Sequence, residues 1–284
     1  MSKYILVGVD GTPEAQVALR WAVDAAEQRG LAVRVVRAYL NDLERWPALG
    51  MTAYVPPPLP LPLEEFQGEL DEAVQLVRDR LGAERGSGVL VALDPAHALL
   101  GEMGDAELVV VGTRTQNKMS AAFLGSVATA VAAKAPCPVV VVRGELRTGP
   151  VVVGTDGSPD SEDALAFAFE EAARTGELLR VVYCWRPEAE YAVLVDSTKE
   201  LLKNWLAESL APYQEKYPAV TVRATVVEGR AGASLIQLSE TASLVVVGSR
   251  GRGGVKGLLL GSVSQSLLHH ASAPVAVIRR HEAD

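Results

Sequence analysis

The residues with the clearest chemical content form one stretch, Gly248-Ser249-Arg250-Gly251-Arg252-Gly253-Gly254-Val255-Lys256-Gly257-Leu258-Leu259-Leu260-Gly261-Ser262. Two glycines flank a two-residue gap, nine residues follow, and a Gly-Ser pair then opens a helix-compatible run from Val263 to His270. Glycine lets backbone approach a ligand closely and adopt φ > 0. A helix start offers unpaired N–H groups and the positive end of a dipole. Together these make an anion site, most often one for phosphate. Arg250, Arg252 and Lys256 add positive charge to the same loop.

The stretch has a sibling. Val109-Val110-Val111-Gly112-Thr113-Arg114 precedes Val245-Val246-Val247-Gly248-Ser249-Arg250 by 136 residues, and Leu124-Gly125-Ser126-Val127 precedes Leu260-Gly261-Ser262-Val263 by the same offset. Val7-Gly8-Val9-Asp10-Gly11-Thr12-Pro13 recurs as Val153-Gly154-Thr155-Asp156-Gly157-Ser158-Pro159, at an offset of 146. The chain is a tandem duplication whose second copy is ten residues shorter in its middle. Self-similarity of this kind decides the architecture before any local reading.

Each copy alternates strands and helices. In the first, strands are expected at Tyr4–Val9, Ala32–Tyr39, Val89–Leu93, Leu108–Gly112 and Pro138–Arg143. Helices are expected from Thr12 to Gly30, from Glu64 to Arg85, from Pro95 to Met103, and from Gly125-Ser126 onward. Valine runs without polar alternation suit parallel strands covered on both faces. The fold class is therefore α/β: two tandem doubly wound domains, each with a five-stranded parallel sheet, over residues 1–144 and 150–284. In such sheets ligands sit at the carboxyl ends of the strands, near a topological switch point. Asp10 and Asp156 end the first strands of the two copies, and Gly112 and Gly248 end the fourth.

Composition narrows the class of function. The net charge of −8 argues against a broad nucleic-acid face, so the basic loop is a local feature of an acidic protein. Cys137 and Cys184 lie in different halves and outside any CxxC or Cys/His cluster, which fits a reducing compartment without a zinc site. Met1 to Asp10 reads as a strand rather than a secretion signal. No apolar run approaches the roughly 20 residues of a membrane helix. A cytoplasmic protein with no membrane and no nucleic-acid partner is expected. His97, His269 and His270 show no metal-binding pattern. The proline run Pro56 to Pro62 reads as a stiff surface connection, with a polyproline ligand as the alternative.

Val-Gly-Val-Asp-Gly-Thr, the Gly-x-x-Gly-x9-Gly-Ser spacing, and Ala-Pro-x-Pro-Val or Ser-Ala-Pro-Val before the last strand resemble the universal stress protein family. The resemblance spans both halves and implies a tandem member with Rossmann-like, adenine nucleotide alpha hydrolase-like domains. It implies ATP, with Mg²⁺ as its companion ion; the residues themselves say only phosphate. In the second half it implies a nucleotide held by Gly154, Thr155, Asp156, Cys184, Val247, Gly248, Arg250, Gly251, Gly261, Ser262, Val263 and Ser264. Asp156 would lie at the adenine and Cys184 behind it. The Ser262 and Ser264 hydroxyls and nearby N–H groups suit phosphate oxygens. The matching set in the first half is Gly8, Asp10, Ala38, Gly112, Arg114, Gly125, Ser126 and Val127.

The first half departs from the pattern. Thr115 stands where the inner glycine belongs, and Ala128 replaces Ser264. A Cβ at 115 either crowds a ligand or forbids φ > 0, so this site is expected to be weaker or empty. Asp10 and Asp156 also suit plain helix capping beside Pro13 and Pro159. The resemblance further implies that the last strands of the two copies, Pro138–Arg143 and Pro274–Arg279, pair within one chain as an intramolecular pseudo-dimer, with edges left for a homodimer. No catalytic triad and no Walker lysine loop occurs, so a regulatory, non-enzymatic ATP binder in the stress response is expected. The alternatives are a slow ATPase and a nucleotide-free interaction scaffold.

Overall fold

The computed structural model describes residues 3–40, 62–113, 125–186, 195–253 and 259–280. Arg114, Thr115 and Lys256 lie outside them, as does the proline run except Pro62. The chain forms two compact units, Met1–Gly112 and Thr113–Asp284.

In the first unit the elements are β1 (Tyr4–Val9), α1 (Pro13–Arg29), β2 (Ala32–Ala38), α2 (Leu63–Leu81), a 3₁₀ turn (Ala83–Arg85), β3 (Gly86–Val91), α3 (Pro95–Gly101) and β4 (Ala106–Gly112). The strands run parallel in the order β3-β2-β1-β4. Thr12 caps α1 by accepting from the Ala15 N–H, and Gly30 ends the helix at φ 68°. Ile5, Leu6 and Val7 are fully buried, so each contributes about 1.5–3 kcal/mol of apolar burial.

In the second unit follow α4 (Ser126–Lys134), β5 (Val139–Val142), β6 (Val151–Thr155), α5 (Pro159–Thr175), β7 (Leu179–Trp185), α6 (Val195–Lys216), β8 (Val222–Glu228), α7 (Ala231–Ser239), β9 (Leu244–Gly248), α8 (Ser262–His270) and β10 (Val275–Ile278). The strand order is β5-β10-β9-β6-β7-β8. All pairings are parallel except that of β5 with β10. The expected pairing of the two last strands is thus present. Its register, Val275 to Val141, Ala276 to Val140 and Val277 to Val139, maps onto itself under the 136-residue repeat offset. It also explains why β5 joins the second unit although its sequence ends the first repeat.

The order reverses between β6 and β9: β6 connects onward to β7 on one side, while β9 and β10 fill the other. This is the topological switch point, and the crevice that such a reversal leaves lies at the strands' carboxyl ends. Two buried helix faces fix the flanks. On α5, Ala164, Leu165, Ala168, Phe169 and Ala172 turn inward, and on α7 Leu235 does so.

Candidate functional site

A cavity of about 380 Å³ opens at the carboxyl ends of β6 and β9. All twelve residues named from the second repeat line it: Gly154, Thr155, Asp156, Cys184, Val247, Gly248, Arg250, Gly251, Gly261, Ser262, Val263 and Ser264. Val182, Ala231, Leu235, Arg252, Gly253 and Leu260 complete the wall.

Asp156 is the hinge of this arrangement. Gly157 follows at φ 72°, turning the chain so that Asp156 Oδ1 accepts the Ser158 N–H at 2.9 Å. Oδ2 reaches across to the glycine loop and accepts the Arg252 backbone N–H at 2.8 Å. Burial alone would raise this carboxyl. Hydrogen bonds from Ser158, the Arg252 N–H and Ser161 outweigh burial and hold it below the usual carboxylate value.

The inner glycine now has a specific reason. A Cβ on Gly251 would stand 2.5 Å from Asp156 Oδ2. Gly251 is not among the glycines with positive φ, so the φ > 0 explanation offered by the sequence is wrong. Glycine here admits the close approach of the Asp156 carboxylate, which a Cβ would force to shift.

Two other motif glycines answer to packing. A Cβ on Gly154 would meet Leu235 Cδ1 at 2.7 Å. A Cβ on Gly248 would meet the backbone C and O of Asp160 at 2.9 Å, where β9 abuts the first turn of α5. The first repeat repeats the scheme with Gly8 against Leu99 at 3.1 Å and Gly112 against the Glu14 carbonyl at 2.9 Å.

At the polar end, Gly261 caps α8 without a side chain, and no side-chain hydrogen bond caps that helix start. The Gly261 N–H donates to the Ser249 carbonyl at 2.7 Å, which draws the loop onto the helix. Ser262, Val263 and Ser264 form the first turn and face the cavity with the positive end of the helix. One expectation is corrected here. The Ser264 hydroxyl is buried and donates to the Ser249 and Gly261 carbonyls at 3.1 and 2.9 Å. Its single proton is spent on the loop, which leaves the backbone N–H as its group for an anion. Arg250 pairs through Nε with the buried Asp160 at 3.3 Å.

The other end is apolar. Val182, Leu235, Val247 and Ala231 surround it, with Cys184 half-buried at the end of β7. Burial pushes the Cys184 thiol up, against a smaller downward pull from Ser234. Beyond Asp156, the Trp205 ring of α6 lies against Gly157, where an added Cβ would meet it at 2.8 Å, and it meets Tyr183 edge-on at 5.1 Å. Sequence reasoning missed Leu235 and Trp205. The repeat offset that pairs Leu235 with Leu99 was the available signal for the first, and nothing marked the second. A pocket with an apolar end and a few convergent donors has the character of a small-molecule site.

The first-repeat set is divided. Gly8, Asp10, Ala38 and Gly112 belong to the first unit, and Gly125, Ser126 and Val127 open α4 in the second. The cavity described above is lined by none of them. Asp10 Oδ1 accepts from the Thr12 N–H at 3.2 Å and from the Thr12 hydroxyl at 2.5 Å. Thr12 itself, rather than Asp10, caps the helix. Among the described residues no group of His, Cys, Asp and Glu is placed to hold a metal, and no helix is long and apolar enough to cross a membrane.

The model of the universal stress protein family matches residues 1–143 and 148–279. A universal stress protein of Mycobacterium tuberculosis (strain ATCC 25618 / H37Rv) is 37% identical over 296 residues, covering 97% of each chain. One from Mycolicibacterium smegmatis is 35% identical over 286 residues, covering 97% of this chain and 96% of the relative. Among solved structures, a universal stress protein from Archaeoglobus fulgidus DSM 4304 superposes with a TM-score of 0.68, covering 99% of this chain and 100% of that one. At 19% identity that likeness speaks for the fold alone.

Proposed function

The chain belongs to the universal stress protein family, with two tandem copies of its domain, and from that premise we propose that it is a cytoplasmic regulatory protein that binds ATP in its second repeat without hydrolysing it. One observation carries this reading: the residues read from a sequence motif converge on a single cavity with a ring-sized apolar end and an open helix N-terminus. The residues suit the nucleotide. Val182, Leu235 and Val247 would flank the base, Asp156 would take a ribose or base hydrogen bond, and the N–H groups of Ser262 to Ser264 would hold phosphate oxygens. ATP would supply negative charge there; the protein supplies only donors and shape.

Asp156 supports the non-catalytic part of this reading. Its two oxygens already accept backbone N–H groups, and its carboxyl is held below the usual value, so it is a weak base for activating water. Calorimetric titration with ATP and a phosphate-release assay on the same preparation test the proposal. Saturable binding with no turnover above background supports it. Turnover that disappears in Gly251→Val would replace it with a slow ATPase, and no binding of any adenine nucleotide would leave a scaffold. The first repeat, with Thr115 at the position of the inner glycine, is proposed to bind more weakly or not at all.

A further inference from the structure

Arg279 leaves the end of β10 and sends its guanidinium to two carbonyls. Its Nη2 donates to the Ala133 carbonyl in the last turn of α4, and to the Leu259 carbonyl at 3.3 Å. Ala133 belongs to the sequence of the first repeat. Leu259 lies two residues before Gly261, where the glycine loop enters α8. One nitrogen with two N–H bonds thus ties the phosphate-facing loop of one repeat to a helix of the other.

The surroundings bear on the same point. Asp160 accepts from Arg250 Nε and from the Arg280 N–H, each at 3.3 Å, so one carboxylate holds both the cavity arginine and the chain just past Arg279. The repeat partner of Arg279 is Arg143, by the 136-residue offset. Arg143 donates to the Leu268 and His269 carbonyls at 2.7 and 2.8 Å, at the far end of α8. A cation on the last carbonyls of a helix satisfies acceptors that the helix leaves open. The helix whose N-terminus faces the cavity is therefore held by arginines near both ends.

We propose that Arg279 is a positioning residue for the phosphate end of the second-repeat site. By bridging Leu259 to Ala133 it sets where Ser262 and Val263 present their N–H groups, and it makes α4 of the first repeat part of the second repeat's anion subsite. The ligand class is the phosphoryl chain of a nucleotide, and this inference rests on the function proposed above.

The test uses full-length Arg279→Met, with Arg279→Gln as a second variant that keeps one amide donor on a shorter arm. Two readouts are needed. In the ligand-free chain, amide exchange across residues 259–264 should speed up, because the segment from Leu259 that seats the Gly261 N–H on the Ser249 carbonyl loses its anchor; a distant charge acting on phosphate alone would not change it. In titrations, affinity for ATP should fall about tenfold, the effect of losing one charge-assisted hydrogen bond, while affinity for adenosine stays within about twofold. Equal losses for both ligands, or unchanged exchange and affinity in a folded variant, would overturn the positioning role. If wild type binds neither ligand, the proposed function falls, and the exchange result still reports on the bridge.

Discussion

Replacing Gly251 by threonine copies the first repeat into the second and puts the account of the loop at risk. A Cβ at this position would stand 2.5 Å from Asp156 Oδ2, whereas ordinary contact begins at 3.4 Å. The carboxylate must retreat by nearly 1 Å, and the bond it would give up is the 2.8 Å acceptance of the Arg252 N–H. A charge-assisted hydrogen bond contributes about 1.5–3 kcal/mol net, so its full loss corresponds to about 10- to 150-fold in an equilibrium constant. The perturbation sits on the loop that lines the cavity, so most of that factor should appear in ATP affinity. Competition titration against a fluorescent ATP analogue measures it, with thermal melting as a check on folding. A folded Gly251→Thr protein that binds ATP as wild type does would refute the argument that the missing glycine weakens the first repeat.

The remaining predictions concern the same cavity. Gly248→Ala should lose about 1–3 kcal/mol in urea unfolding, because its Cβ would press on the Asp160 backbone at 2.9 Å; Gly253→Ala, with nothing within 4 Å, should stay within about 0.5 kcal/mol. The Asp156 carboxyl is depressed in the folded state. Its stabilisation is therefore complete above the ordinary carboxylate value of 3.8 and drains away as pH falls through the folded value. The stability gap between wild type and Asp156→Asn should accordingly be constant from pH 5 to 7 and shrink below about pH 4 in chemical denaturation; a gap that widened in acid would contradict the assigned direction. Cys137 is buried, with its thiol pushed up to about 11, and should resist maleimide at pH 8, whereas Cys184 on the cavity wall should label and be protected by ATP. Labelling of Cys184 at the same rate with saturating ATP would place the nucleotide elsewhere.

Much of the architecture was legible because the chain carries its own control. Valine runs and two constant offsets exposed the repeat, and the repeat located the strand ends that a ligand would use. Boundaries slipped where glycine disguised a strand. β3 begins at Gly86 rather than Val89, since Val74 and Leu70 fill the space beside Gly88 and no side chain announces the strand. Glycine was ambiguous in the site as well. Sequence alone does not separate a glycine that admits a ligand from one that admits Leu235, as at Gly154, or a helix backbone, as at Gly248. Ser264 looked like a phosphate hydroxyl until its partners showed it closing the loop. Trp205 was invisible for a related reason: it comes from a helix distant in sequence, and only packing brings it to the β6 turn.

One nucleotide is proposed to bind per chain, in the second repeat. The most direct measurement is quantification of nucleotide extracted from purified full-length protein after incubation with ATP and removal of excess, by mass spectrometry against chain concentration. Close to one ATP, unhydrolysed, per chain is expected, falling toward zero in Gly251→Thr. Two per chain, or a retained complement in that variant, would contradict it.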